Sequence, residues 1–248
     1  MNFRLIPFRY HNAYMNMALD ESILEGIRDG ISPPTIRFYG WEPSAVSIGY
    51  FQGIEYEVRL EACRAAGVDV VRRITGGGAV YHDRDGELTY SILAPQEIFP
   101  LESEACFRFI CADILAALEM LGISASFQPI NDILVDGKKI SGNAQTRRYD
   151  VLLQHGTLLY RVDVEKMFTL LNVSEEKISD KLIRSVKKRV TSVTDIAPIP
   201  FERVVAAFET AFSRNRTVER GDYTAAELER ARVLAEQKYR SREWNYLR

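Results

Sequence analysis

The sequence predicts a mixed α/β fold, a mixed sheet flanked by helices. Helical stripes alternate with short apolar strands along the chain, and several strand pairs are joined by hairpin-length turns, as mixed sheets require and doubly wound parallel sheets do not. The chain is 248 residues long, 46% hydrophobic and 27% charged, which suits a single domain with a substantial core.

Element by element, the pattern reads as follows. Met15, Leu19, Ile23 and Ile27 recur every four residues, which predicts an amphipathic helix with Asn12 as its cap. Residues 35–40 and 45–50 read as strands around the turn at Glu42-Pro43-Ser44. A helix over 56–66 closes at Gly67, and a strand begins at Val68. A glycine-rich turn precedes the alternating strand that starts at Glu87. Ile110, Ile114, Leu118 and Leu121 stripe a second helix over 107–121, stopped by Gly122. Strands follow at 133–135 and 151–160 with a Lys/Gly-rich crossing between them, and helices at 164–171, 201–214 and 225–239. One domain over 1–248 is expected.

Bulk properties narrow the function. Net charge is −2 and the isoelectric point about 6.0, which gives no whole-chain argument for a nucleic-acid or membrane-surface partner. The N-terminal MNFRLIPFRYHNAY lacks the apolar run of a signal peptide, and no later stretch is apolar enough to span a bilayer, so a cytoplasmic protein is expected. Cys63, Cys106 and Cys111 form no CxxC pair and read as buried thiols rather than metal ligands.

Three stretches carry chemistry. In RRITGGGAVYHD (72–83) three glycines follow a strand, allowing close backbone approach and several N–H groups for an anion. The pattern is neither a P-loop nor a dinucleotide fingerprint. The arginine pair before it offers a fork suited to phosphate or carboxylate. In NDILVDGKKISGNAQ (131–145) a lysine pair leads into small residues, which points to a phosphate contact. LLQHGTLL places His155 inside an apolar strand, where a satisfied core histidine and a ligand contact are both open. KLIRSVKKR (181–189) has five positive charges in nine residues, a solvated face or an element meeting an anionic partner.

Taken in order, RRITGGGAVYHD, NDILVDGKKISGNAQ, LLQHGTLL and SVKKRVTSVTD resemble the lipoate–protein ligase A group, within the larger family that also holds biotin–protein ligases and octanoyl transferases. MNMALDESIL and KYRSREWN extend the resemblance over nearly the whole chain. It implies the biotin/lipoate ligase catalytic domain, related in fold to class II aminoacyl-tRNA synthetases. It also implies ATP and Mg2+, with lipoate as substrate: the carboxylate attacks the α-phosphate, and an acceptor lysine then attacks lipoyl-AMP. Lys139 matches the lysine that touches carboxyl oxygen and phosphate. Arg73, Gly76, Gly77, Gly78, Ala79, Val80, Tyr81, His82, Asp132 and His155 match substrate and nucleotide contacts, and 187–189 match a loop near the nucleotide. The implied partners are lipoyl acceptor domains of 2-oxoacid dehydrogenases or of the glycine cleavage H protein. Because single-chain ligases continue into an accessory domain beyond the equivalent of KYRSREWNYLR, a small accessory subunit acting in trans is also expected.

One departure from the ligase pattern is Thr146, where the bacterial ligases have an arginine seven positions after the lysine. The main rival is an octanoyl or lipoyl transferase of the same fold, which works through a thioester without ATP. Its branch has a nucleophilic cysteine just before the lysine segment, where this chain has Ser126. A biotin–protein ligase would need a GRGRxGR-like loop, which is absent. An idle lipoate-binding subunit is disfavoured by the retained Arg73, glycines and Lys139.

Overall fold

The computed structural model describes residues 2–172 and 187–248. An eight-stranded mixed sheet forms the centre, in the order β11-β1-β2-β6-β10-β9-β8-β7. Its strands are β1 (Asn2–His11), β2 (Thr35–Trp41), β6 (Glu87–Pro95), β7 (Ser126–Gln128), β8 (Asp132–Val135), β9 (Lys138–Arg148), β10 (Val151–Leu159) and β11 (Thr217–Arg220). A second sheet has three strands, β4 (Asp69–Arg72), β3 (Ala45–Ile48) and β5 (Val80–His82), with β3 between the other two. β1 runs parallel to β2 and β11, whereas β6, β10 and β9 pair antiparallel, so the large sheet is mixed as the turn lengths predict.

Helices cover the sheet because each has one apolar face to bury. Helix α1 (Ala13–Arg28) starts where Asn12 accepts a hydrogen bond from Met15 N, as its sequence position predicts. It packs with α8 (Ala225–Leu234) around Trp41, Tyr39 and Leu153. Helices α4 (Ser103–Met120) and α7 (Phe201–Ser213) enclose a separate core containing Phe38, Tyr90 and Leu152. The third core lies under the small sheet, between α2 (Ile54–Glu57), α3 (Leu60–Ala65) and α5 (Val164–Leu170). Two short helices, α6 (Val193–Ile196) and α9 (Arg242–Asn245), complete the set among the described residues.

Three expectations need correction, and one strand was not foreseen. The helix predicted over 56–66 is two short helices, because Val58 leaves the helix in extended geometry to bridge Leu171. The Lys/Gly-rich crossing is an eleven-residue strand, β9, whose polar side chains lie on a ligand-facing surface rather than in a loop. The N-terminus, to which the sequence reading assigned no element, is strand β1; Pro7 is accommodated by a register shift between Ile6 and Arg9. The last helix gives way to a π-turn at Ala235–Tyr239.

A buried ion pair joins α1 to the sheet. Arg37 Nη1 lies 2.8 Å from Asp20 Oδ1, and both side chains are almost fully excluded from solvent. Burial pushes the Asp20 carboxyl up, but the Arg37 charge and hydrogen bonds from His155 and Ser91 outweigh it and hold the group below its ordinary range. Arg37→Leu strands this carboxylate in the core, and unfolding in urea should show a loss of about 3–5 kcal/mol. A loss under 1 kcal/mol would mean that Asp20 takes up a proton cheaply.

Candidate functional site

A cavity of about 340 Å3 lies between the two sheets, within the size range of small-molecule sites. β2, β6, β9 and β10 supply one wall, and β3, β5 and the loop joining β4 to β5 supply the other. Met17, Ala79, Val80, Leu159, Val162 and Met167 make much of the surface apolar, which fits an acyl chain better than a sugar or a free phosphate.

Lys139 lines this cavity with its side chain partly open to solvent, whereas Trp41, Thr89 and Glu87 are buried in its wall. Lys139 Nζ sits 2.7 Å from Asp132 Oδ1. Its backbone is held on both sides, with Lys139 N donating to Arg189 O at 2.7 Å and Thr191 N donating to Lys139 O at 2.9 Å. The ammonium lies across Gly142, where any Cβ would come within 2.7 Å of both Cε and Nζ. The glycine of the Ile-Ser-Gly motif thus makes room for the lysine side chain.

Arg73 is buried and also lines the cavity. Nη2 donates to Gly76 O (2.7 Å) and Gly78 O (2.8 Å), and Nη1 donates to Ser47 O (3.2 Å) and Ser47 Oγ (3.0 Å). The fork predicted for phosphate therefore binds the carbonyls of the glycine loop. Burial pulls the guanidinium down to about 10, which leaves it a cation at neutral pH.

Of the residues singled out in the sequence, Lys139, Arg73, Gly77, Gly78, Ala79, Val80, Tyr81, His82 and His155 line the cavity together. Asp132 reaches it through Lys139, and Gly76 carries the turn. In the basic stretch, residues 181–186 lie outside the described residues; Lys187 pairs with Glu165 at 2.9 Å. No three His, Cys, Asp or Glu side chains among the described residues form a cation site; magnesium arriving with a triphosphate would find Asp132 as the carboxylate beside Lys139.

Sequence reasoning passed over Asp20, Trp41, Ser47, Glu87 and Thr89. Trp41 stacks on the His82 ring at 3.9 Å, and its Nε1 donates to Thr89 Oγ1 at 2.8 Å. Asn16 and Asp20 were signalled by their i,i+4 spacing beside the apolar stripe of α1, a polar pair that has to be satisfied internally.

The three cysteines stand apart from the cavity. All are buried, in α3 and α4, and burial pushes Cys63 up to about 11 and Cys111 up to about 12. Ser126 is exposed on β7, the edge strand of the large sheet.

The lipoyl protein ligase A/B catalytic domain model matches residues 12–213. The chain belongs to this family. It is similar to the octanoyltransferase LipM of Lysinibacillus sphaericus, with 35% identity over 93% of this chain and 94% of that protein. Among solved structures it is similar to the bi-partite lipoate protein ligase of Thermoplasma acidophilum, described with its E2 lipoyl domain (33% identity, TM-score 0.89, covering 99% of this chain and 96% of that one). A lipoate-protein ligase A bound with ATP is similar at 30% identity and TM-score 0.85, covering 99% of both chains. Membership makes the chain an enzyme of the lipoate ligase and transferase family, with protein lipoylation as its field of action. Among the described residues no helix is long and apolar enough to cross a membrane.

Proposed function

We propose that the chain attaches a lipoyl-type acyl group to a lysine of a lipoyl acceptor domain, and that it activates the acid with Mg-ATP. The observation that carries the activation step is the absence of a thiol from the cavity wall: its lining includes Lys139, Arg73 and the glycine loop but none of the three cysteines. An acyl-thioester route needs a thiolate at the reacting carbonyl, and these thiols are buried elsewhere and held protonated. Similarity to the bi-partite ligase and to the ATP-bound ligase supports the same reading.

In the first step the acyl carboxylate oxygen forms a bond to the α-phosphorus, and the bond to the bridging oxygen of pyrophosphate breaks. Charge gathers on the phosphoryl oxygens, where Lys139 supplies a fixed cation and the glycine loop supplies N–H donors. In the second, the neutral amine of the acceptor lysine attacks the acyl carbon, AMP leaves with the bond electrons, and the amine proton passes to solvent or a nearby carboxylate. Asp132 is the carboxylate beside Lys139.

A second reading has its own support. The octanoyltransferases named LipM match at 34–36% identity over almost the full length of the chain, which favours octanoyl transfer from a carrier thioester without ATP. In this reading no accessory subunit is needed. Similarity to a bi-partite ligase is the argument for a subunit in trans under the first.

The mass shift of an apo lipoyl domain separates them. Lipoate with Mg-ATP, or presynthesised lipoyl-AMP, should acylate the domain under the ligase reading; lipoyl-AMP alone would point to a missing activation partner. Acylation only from octanoyl carrier protein would overturn the ligase reading in favour of the transferase. Acylation from none of the three would remove both.

A further inference from the structure

Two hydroxyl–imidazole–carboxylate arrays run through the cavity wall, and they meet at the glycine loop. In the first, Arg73 Nη1 donates to Ser47 Oγ (3.0 Å), Ser47 Oγ lies 2.8 Å from His82 Nε2, and His82 Nδ1 lies 2.6 Å from Glu87 Oε1. In the second, Thr75 Oγ1 lies 2.7 Å from His155 Nε2, and His155 Nδ1 lies 3.3 Å from Asp20 Oδ2. Every side chain in both is less than a tenth exposed.

The proton positions follow from groups that can only donate. Trp41 Nε1–H donates to Thr89 Oγ1, so the Thr89 hydroxyl must give its own proton to Glu87 Oε1, 2.8 Å away. Glu87 Oε1 is thereby an acceptor, and His82 must meet it with Nδ1–H. At the other end Arg73 can only donate, so Ser47 Oγ accepts from it and its own proton is free to go to His82 Nε2. The Glu87 end fixes the proton on Nδ1, and the Ser47 end is compatible with it. Asp20 likewise accepts from Arg37 and Ser91, so His155 meets it with Nδ1–H and accepts the Thr75 proton at Nε2. Burial keeps His155 below the ordinary imidazole range even against the opposing pull of Asp20, which agrees with a neutral ring.

What these arrays hold is the ligand-facing loop. Thr75 is the residue before the three glycines, and Thr75 O also accepts from Tyr50 N at 2.8 Å. Ser47 holds the end of the Arg73 fork that is not bonded to the carbonyls of Gly76 and Gly78. A histidine turned to the Nε2–H tautomer would present a proton to each hydroxyl and break the chain of donors.

We propose that Asp20 and Glu87 are positioning residues of the acyl cavity: each fixes its histidine as the Nδ1–H tautomer, and the two Nε2 acceptors anchor Thr75 and Ser47, which keep Arg73 and the glycine loop in ligand-receiving shape. This deepens the acyl-attachment reading, but its first test does not depend on that reading. The chain has only three histidines, so imidazole 15N spectra of the whole protein labelled at histidine are readily assigned. At pH 7 the signals of His82 and His155 should be those of rings protonated at Nδ1. Nε2–H signals for both in the wild-type protein would overturn the proposal.

Asp20→Asn should switch His155 alone to Nε2–H, and Glu87→Leu, which leaves Nδ1 without an acceptor, should release His82 alone from the Nδ1–H form. In each, amide exchange at 76–78 should speed up at least tenfold, and KM for the acyl substrate should rise about tenfold with kcat changed less than threefold. Because Asp20→Asn also disturbs Arg37, Thr75→Val is the second variant. It should raise KM and loop exchange while leaving the His155 tautomer in place, and Thr75→Ser should restore both. Switched tautomers with unchanged loop exchange and KM would reduce the arrays to core packing. A wild-type protein that uses neither lipoate nor an octanoyl donor would remove the functional reading, while the tautomer and exchange results would still decide the positioning role.

Discussion

Lys139→Ala should lower acylation of a lipoyl domain by on the order of 10²–10³-fold and leave the fold in place. The side chain is two-fifths exposed, and among the described residues its ammonium pairs with the half-buried Asp132, so its removal opens no core cavity. The main chain stays held by the bonds to Arg189 and Thr191, which do not involve the side chain. What disappears is the cation whose Nζ reaches the cavity over Gly142. Lys139→Arg should not restore activity, because the wider guanidinium has to fit a gap already at 2.7 Å from the position of a Cβ on Gly142. Lys138→Ala is the control: Lys138 is exposed at the start of β9 beside the turn residues Asp136 and Gly137, and its loss should cost less than about threefold, or about 0.65 kcal/mol in barrier terms. Single-turnover mass shift of the acceptor domain is the measurement. Near-normal transfer by Lys139→Ala would refute the assignment, and a large loss in Lys138→Ala would move it one residue back. Under the ligase reading, Lys139→Ala should be hit hardest with lipoate and Mg-ATP and less with lipoyl-AMP, since the phosphate charge peaks in the first step.

The contrast between Lys138 and Lys139 shows what the sequence could settle about the site. The motif put a lysine before Ile-Ser-Gly and small residues after it, and both features concern a side chain crossing a backbone at close range. Periodicity likewise located α1, α4 and α7, because a helix that buries one face writes that face every third or fourth residue. The place of Arg73 beside the glycine loop was legible in the sequence, but its actual bonding was not. A sequence names a fork; only the fold shows that the carbonyls of Gly76 and Gly78 occupy it. Glu87, Thr89 and Trp41 come from two strands that pair within one sheet, and their circuit with His82 depends on the small sheet folding over them. No local spacing records such a meeting. β1 and β11 were missed for a related reason: each is short or interrupted, and it is their parallel pairing across more than two hundred residues that makes them strands.

Gly49 lies outside every motif, yet Gly49→Ala should do more harm to the fold than alanine at two of the three motif glycines. A Cβ on Gly49 would stand 2.0 Å from Gly77 O, 3.0 Å from Gly77 C and 3.1 Å from Gly76 C. These are backbone atoms, so no rotamer change can clear the clash, and the loop itself must move. It is poorly free to do so: Arg73 holds Gly76 O and Gly78 O, Tyr50 N holds Thr75 O, and Gly77 already sits at φ 97°, in the left-handed region. Displacement of a packed loop costs about 1–3 kcal/mol, which is roughly 2–4 °C in melting temperature for each kcal/mol in a chain of this size. Binding should suffer more, because Gly77 and Gly78 line the cavity and their N–H groups move with the carbonyls; a tenfold or greater rise in KM for the acyl substrate is expected. Gly76→Ala and Gly78→Ala meet almost nothing: a Cβ on Gly76 finds only Phe51 Cδ2 at 4.0 Å, and one on Gly78 finds nothing within 4 Å. Their stabilities should stay within about 0.5 kcal/mol of wild type, so any loss of activity in them reports on the ligand rather than on the loop. Thermal unfolding and steady-state kinetics on the three variants test the ordering. If Gly49→Ala melted with the wild type and bound as tightly, the β3 turn and the glycine loop would be able to separate without cost, and the clamped loop would not be what shapes the cavity.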